Sequence, residues 1–265
     1  MSWLVKGALS PLLLWQGVRV RQSALRLPEA AGPRVGRVEW PRDPPGLNLL
    51  VVGDSSAAGV GVVSQNDALA APLAAALASR LRVPIGWQLV ATSGHGAEDA
   101  LRALREAPQL QPADLLLVVL GVNDAVGMTG TRSWLATLDA LHAVAVERAG
   151  VRLCWHSGLP PMGRFPLLPQ PLRWVLGREA ARLDEALKQH LAGRTDRRWI
   201  GLPEAPPGAL PEGWMAADGY HPGPRGYAAW VGSLVDAMAG VVMPAPPAGP
   251  PPVVLSAPAA PHAMQ

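Results

Sequence analysis

From residue 47 onward, short apolar runs alternate with longer stretches in which apolar positions recur at helical spacing. Apolar runs of four to eight residues bounded by turn residues read as buried strands, whereas a three-to-four-residue recurrence over ten or more positions reads as an amphipathic helix. On this pattern strands are predicted over residues 47–53, 85–91, 114–120, 151–155 and 198–202. Helices are predicted over about 66–82, 97–107, 131–149 and 172–192, with a last one starting just after Pro222 and ending near Ala239. The run 114–120 is apolar almost throughout, as expected of a central strand covered on both faces. Glu98 and Asp99 fall in a first helical turn, where the helix dipole favours acids, and Pro224 suits a helix start.

A strand-then-helix unit repeated about five times implies a parallel sheet with helices on both faces. The fold class expected is therefore α/β: one flavodoxin-like three-layer α/β/α domain around a central sheet of about five parallel strands. Such sheets bind ligands beyond the carboxyl ends of their strands. Ser55, Gly94, Asn123 and the loop before the last helix all follow strands and should meet at one edge.

The periodic core spans residues 47–240, preceded by an apolar and basic segment over 1–46 and followed by a Pro/Ala-rich tail over 244–265 expected to be disordered. Residues 28–46 read as a loop-like connection. Residues 1–20 place Leu4, Ala8, Leu12 and Trp15 at helical spacing, but Lys6 and Pro11 interrupt a run too short for a membrane span. No small-x-small cleavage site precedes Arg19 and Arg21. Two readings stand for this segment: an interfacial helix giving peripheral membrane contact through Trp3 and Trp15, or an extra helix packed on the domain.

Composition narrows the chemistry. The formal charge is +3, but the arginines are scattered and never interleave with aromatics, so nucleic acid is not expected as a partner. Cys154 is the single cysteine, which excludes an internal disulfide and fits a cytoplasmic location, with residues 1–20 as a route to the inner membrane face. No Cys/His cluster has metal-ligand spacing and no glycine-rich loop ends in Lys-Ser or Lys-Thr, so neither a metal nor a cofactor is expected. Oligomeric state leaves no mark in the sequence.

The polar break Gly53-Asp54-Ser55-Ser56, directly after the first strand, has two readings on its own. It caps the next helix, or it presents Ser55 as a nucleophile. Gly53-Asp54-Ser55, Gly94, Gly121-Val122-Asn123-Asp124 and Asp218-Gly219-Tyr220-His221 together resemble, in order and approximate spacing, the four signature blocks of the SGNH/GDSL hydrolase superfamily. The resemblance covers residues 47–240 and implies a catalytic triad of Ser55, His221 and Asp218. It further implies an oxyanion hole built from the backbone N–H groups of Ser55 and Gly94 and the side-chain amide of Asn123. The physical requirement agrees: a serine hydroxyl needs an imidazole to take its proton, and the imidazole needs a carboxylate to fix its tautomer. Asp54 and Asp124 are read as structural. Ser56 stands where the older motif has leucine, which weakens assignment to a subfamily.

His95 and His156 should lie near the same edge, either touching substrate or serving as loop and strand-end histidines. Leu159, Met162 and Phe165 belong to a long proline-stiffened apolar connection, either one wall of an acyl pocket or a simple link to the next helix. The resulting expectation is a serine esterase acting on short to medium acyl esters or lysophospholipids. The alternatives are a carbohydrate O-deacetylase, which would call for an open tryptophan-lined polar cleft, and a non-catalytic membrane-associated binding protein.

Overall fold

The computed structural model describes residues 3–41, 44–204 and 210–242, with side chains described from residue 10 onward in the first helix. The tail expected over 244–265 lies outside the described residues. Six strands, β1 (Val35–Val38), β2 (Leu47–Gly53), β3 (Ile85–Ala91), β4 (Leu115–Val119), β5 (Leu153–Ser157) and β6 (Arg197–Ile200), form one sheet in the order β1-β3-β2-β4-β5-β6. β2 to β6 supply the five parallel strands that the sequence pattern predicts. The sixth is an addition: β1 pairs antiparallel with β3, Val35 opposite Gln88 and Val38 opposite Ile85, inside the segment expected to be a loop. Its four residues alternate only weakly and are half-exposed, so an edge strand in a Pro/Gly-rich context leaves no periodic signal.

Among the described residues seven helices accompany the strands: α1 (Trp3–Ser23), α2 (Ala70–Leu81), α3 (Ala97–Glu106), α4 (Val122–Val126), α5 (Thr131–Ala149), α6 (Leu172–Leu191) and α7 (Pro224–Val242). Side chains alternate across a strand, so Leu49 and Val51 of β2 join the core beneath α2 and α7. Leu50 and Val52 join the core beneath α3, α5 and α6. That double coverage is why β2 must be apolar at successive positions. The helix expected from residue 66 begins at Ala70, because Gln65–Asp67 forms a separate 3₁₀ turn whose Asn66 N–H donates to Ser64 Oγ at 3.2 Å.

Numbered among themselves, the five parallel strands have the order 2-1-3-4-5 of a doubly wound sheet. The switch point, where successive connections leave on opposite faces, falls between β2 and β4, the position at which sheets of this kind bind ligands. The loops leaving those two strands carry Ser55 and Asn123. Among the described residues no helix is long and apolar enough to cross a membrane.

Candidate active site

The nucleophile loop is fixed on three sides. At the end of β2 the Asp54 N–H donates to Val119 O at 3.2 Å, and the Ala58 N–H turns back onto Asp54 O at 2.9 Å. The buried Asp54 carboxylate accepts the Ser56 N–H at 2.9 Å, and from α7 the Tyr227 hydroxyl lies 2.9 Å from Ser56 O and 2.8 Å from Val60 O. Ser55 is left half-exposed at the crest of this turn. Burial pushes the Asp54 carboxyl up to about 6, against the pull of its Ser56 hydrogen bond and of His221.

The second loop is a tight reversal closed by an antiparallel bridge between Met215 and Pro222. Within it Asp218 Oδ1 accepts the N–H groups of Tyr220 and His221 at 2.9 and 3.0 Å, a local turn that only a short polar side chain can make. Asp218 Oδ2 then lies 2.6 Å from His221 Nδ1, and His221 Nε2 lies 2.9 Å from Ser55 Oγ. Burial alone would raise the Asp218 carboxyl, but hydrogen bonds from the His221 ring and from the two backbone N–H groups outweigh it and hold the group below its ordinary value. The loops close on each other at Gly61, whose φ is +107° and whose Cβ, if it had one, would lie 2.2 Å from Pro222 O. Any side chain there would push the two loops apart.

Donors converge on the same edge. Gly94 follows β3 with φ at +86°, a backbone that L side chains rarely adopt. Among the described residues neither the Ser55 nor the Gly94 N–H meets a protein acceptor. Asn123, in the first turn of α4, spends one amide hydrogen on His95 O at 2.9 Å, which leaves the second free. Asp124 beside it is buried and takes the Ala97 N–H at 3.1 and 3.2 Å through its two oxygens, joining the loop after β4 to the start of α3. A hydroxyl, an imidazole and a carboxylate in series, with three unclaimed donors beside them, can attack a carbonyl and stabilise the oxyanion that forms.

The sequence profile of the GDSL-like lipase/acylhydrolase family matches residues 51–229, a stretch that contains every residue of this constellation. The chain belongs to that family. It is 28% identical over 199 residues to the GDSL-like esterase Rv1075c of Mycobacterium tuberculosis, an alignment covering 71% of this chain but 61% of that relative's length. Among solved structures, the lipase Lip_vut3 from a goat rumen metagenome matches with a TM-score of 0.56 at 17% identity, over 74% of this chain and 98% of that one. The esterase EstA from Pseudoalteromonas sp. matches with a TM-score of 0.52 at 17% identity, over 73% and 97%. At that identity these two likenesses establish the fold.

The structure separates the two readings left open for the other residues singled out in the sequence. His156 is 1% exposed, on the face of β5 beneath α5 and α6, and neither ring nitrogen has a partner among the described residues. It is a core histidine and not a substrate contact. Burial and the nearby Arg197 push it down to about 3. Met162 is fully buried and Leu159 and Phe165 nearly so, all within the core under α6. They face inward instead of lining an open cleft, because a long apolar connection lowers its free energy by burying its own side chains. They still shape the site from beneath: the Phe165 ring meets Tyr220 edge-on at 5.0 Å, and Tyr220 meets His221 at 5.2 Å. His95 is half-buried beside Gly94 and contributes its carbonyl to Asn123.

Three residues near the site were not identified as such from the sequence: Tyr227, Glu29, and Arg34, which read only as part of a solvated basic stretch. Glu29 Oε1 accepts the Ser93 N–H at 2.7 Å, its Oε2 takes Arg34 Nη2 at 2.5 Å, and Arg34 Nη1 donates to Ala91 O at 2.5 Å. Ala30 and Ala31 bond to residues 58 and 63 of the nucleophile loop. Tyr227 was detectable as a lone polar tip among the apolar positions of α7; the Glu29 and Arg34 contacts cross about sixty residues and have no local signature.

Proposed function

We propose that the protein is a serine hydrolase of carboxylic acyl esters. The observation that carries this is the unbroken chain from Ser55 Oγ to His221 Nε2 at 2.9 Å and from His221 Nδ1 to Asp218 at 2.6 Å. Asp218 holds the Nδ1–H tautomer, leaving Nε2 free to accept. Ser55 Oγ bonds to the acyl carbon as its proton moves to His221 Nε2, and the carbonyl electron pair becomes an oxyanion facing Ser55 N–H, Gly94 N–H and the Asn123 amide. Collapse of this intermediate breaks the bond to the alcohol oxygen, which leaves with the proton from His221. Water then attacks the acyl-Ser55 ester, gives its proton to His221, and releases the carboxylic acid with Ser55 restored.

The substrate class in this reading is an apolar ester with a short to medium acyl chain, or a lysophospholipid. Val126 and Met128, within five residues of Asn123 in sequence, leave apolar side chains 37% and 41% exposed, which supports an apolar acyl part. Of the tryptophans a sugar-ester reading would use, Trp155 is 1% exposed in the core, Trp87 is 7% exposed and borders a hollow beside β1 and α2 away from the triad, and Trp214 is half-buried in the loop before α7. Turnover of p-nitrophenyl esters from acetate to dodecanoate tests the proposal, with rates expected to peak at short or medium chains. Preference for acetylated sugars over every member of the series would overturn the substrate reading.

A further inference from the structure

We propose that α1 docks the protein on an anionic lipid surface, with the active-site edge turned toward the headgroups. A surface helix ordinarily buries its apolar stripe and exposes its polar residues. α1 packs Leu13 and Val20 against the core in the ordinary way, but it carries a second set of apolar side chains on its outward face. Its deepest described side chain is Gln16, whose Nε2 donates to Gln170 O at 2.7 Å and whose Oε1 accepts the Leu172 N–H at 3.1 Å. Leu12, Leu14, Trp15 and Val18 are 42%, 70%, 55% and 55% exposed. Exposed apolar groups of this kind mark an interaction surface.

Charge identifies the occupant. No acidic residue precedes Glu29, while Lys6, Arg19, Arg21 and Arg26 are all basic. Arg19 lies over the Trp15 ring at 5.2 Å, which places a cation and an amphipathic indole at the edge of the apolar stripe, as suits a headgroup boundary. A second copy of the chain would bring like charges together across a twofold contact; an anionic bilayer brings opposite ones. Position relates the surface to the site. The segment that Gln16 grips at residues 170–172 follows Phe165 and Leu167, and the latter donates its N–H to Gly219 O at 3.4 Å in the loop of Asp218 and His221. The docking stands independently of the acyl chemistry.

Co-sedimentation of the full chain with phosphatidylcholine vesicles, with and without phosphatidylglycerol, tests this. Binding is expected to favour the anionic vesicles and to weaken as salt rises. Leu14→Glu with Val18→Glu should lower binding by about tenfold or more. Arg19→Glu with Arg21→Glu should remove the anionic preference, each arginine contributing about fivefold. Hydrolysis of a soluble short ester, measured in parallel, should be unchanged in all of them and shows that the variants fold. Absence of vesicle binding at low salt, or binding indifferent to Leu14 and Val18, would overturn the proposal. So would a dimer in sedimentation velocity that Leu14→Glu dissolves, since a second copy would then cover the helix.

A separate observation assigns Glu29 as a positioning residue for the oxyanion loop, an assignment that rests on the donor role of Gly94. The Glu29–Arg34 pair brackets residues 91–93: the carboxylate holds the N–H of the 92–93 peptide and the guanidinium holds the C=O of the 91–92 peptide, the two peptides that lead into Ser93 and Gly94. Charge-assisted hydrogen bonds of this kind are the strong ones, and holding an oxyanion donor in place is a kcat effect. Glu29→Ala is expected to lower kcat about tenfold with KM unchanged, per active site titrated with fluorophosphonate. Glu29→Gln, which keeps an acceptor for Ser93 N–H, should restore most of it. Asn123→Ala separates the two layers, since loss of an oxyanion donor costs about 10²- to 10³-fold. If Asn123→Ala shows that loss and Glu29→Ala shows none, the positioning role fails; if neither affects kcat, the oxyanion reading fails first.

Discussion

Among the described residues three aspartate–histidine pairs lie within 4 Å; His142 and Asp196 are the loosest at 3.9 Å, and the two tighter pairs make the comparison. His221 meets Asp218 at 2.6 Å through one nitrogen and Ser55 at 2.9 Å through the other. His190, near the end of α6, sits 3.0 Å from both oxygens of Asp139 on α5, and Arg197 also binds Asp139. Both aspartates are held below the ordinary carboxylate range, each against the opposing effect of burial. What differs is what surrounds them. Asp218 is satisfied by its own loop and has one strong partner left to orient, whereas Asp139 is shared with a guanidinium, and among the described residues no serine hydroxyl hydrogen-bonds the His190 ring. An Asp–His pair becomes a catalytic device through its third partner and its place at a sheet edge; elsewhere the same pair is an ion cluster that ties helices to a strand.

Ser55→Ala should break the first pair's chemistry most completely, lowering ester turnover by about 10⁴-fold or more while leaving Tm nearly unchanged. Retained activity would show that the serine is misassigned. Asp218→Asn should lower kcat by about 10⁴-fold, because an amide no longer fixes the imidazole tautomer. Asp139→Asn is the matched control: activity within about twofold, with a loss of about 1–3 kcal/mol from the His190 and Arg197 contacts, measured by urea unfolding. A large drop in kcat for Asp139→Asn would erase the contrast.

The smallest effect on activity belongs to His156, and its signature is pH. Its folded pKa is pushed from 6.5 down to about 3, so the folded state binds fewer protons than the unfolded chain between those values. Stability is therefore full above about pH 6.5 and falls as pH drops toward 3, by at most about 5 kcal/mol. His156→Leu should flatten the acid limb of a plot of unfolding free energy against pH and leave ester turnover at neutral pH within about twofold. A large loss of turnover would return His156 to the substrate site.

The same contrast explains what was legible in the sequence. β2 and β4 announce themselves because a strand covered on both faces must be apolar at successive positions, and their parallel order follows from the intervening helices. Ser55, Asp218 and His221 were readable because each sits in a short block whose local turn makes the geometry: within four residues Asp218 accepts the Tyr220 and His221 N–H groups and meets the His221 ring. β1 was not readable, since two valines in a half-exposed edge strand carry no period. Nor were Glu29 and Arg34, whose partners at residues 91 and 93 are chosen by packing. Leu159, Met162 and Phe165 were identified as apolar residues needing burial, but the sequence does not say whether a loop buries them in its own core or leaves them to a ligand.

The central claim is that Ser55 alone among the serines is activated by its neighbours. Exposure of the folded chain to a fluorophosphonate, followed by peptide mass spectrometry, tests it directly. The account predicts one covalent adduct, on Ser55, forming rapidly at neutral pH, slowed by orders of magnitude in His221→Ala and absent from the urea-unfolded chain. Equal labelling of folded and unfolded protein, or an adduct on another serine with Ser55 untouched, would contradict it.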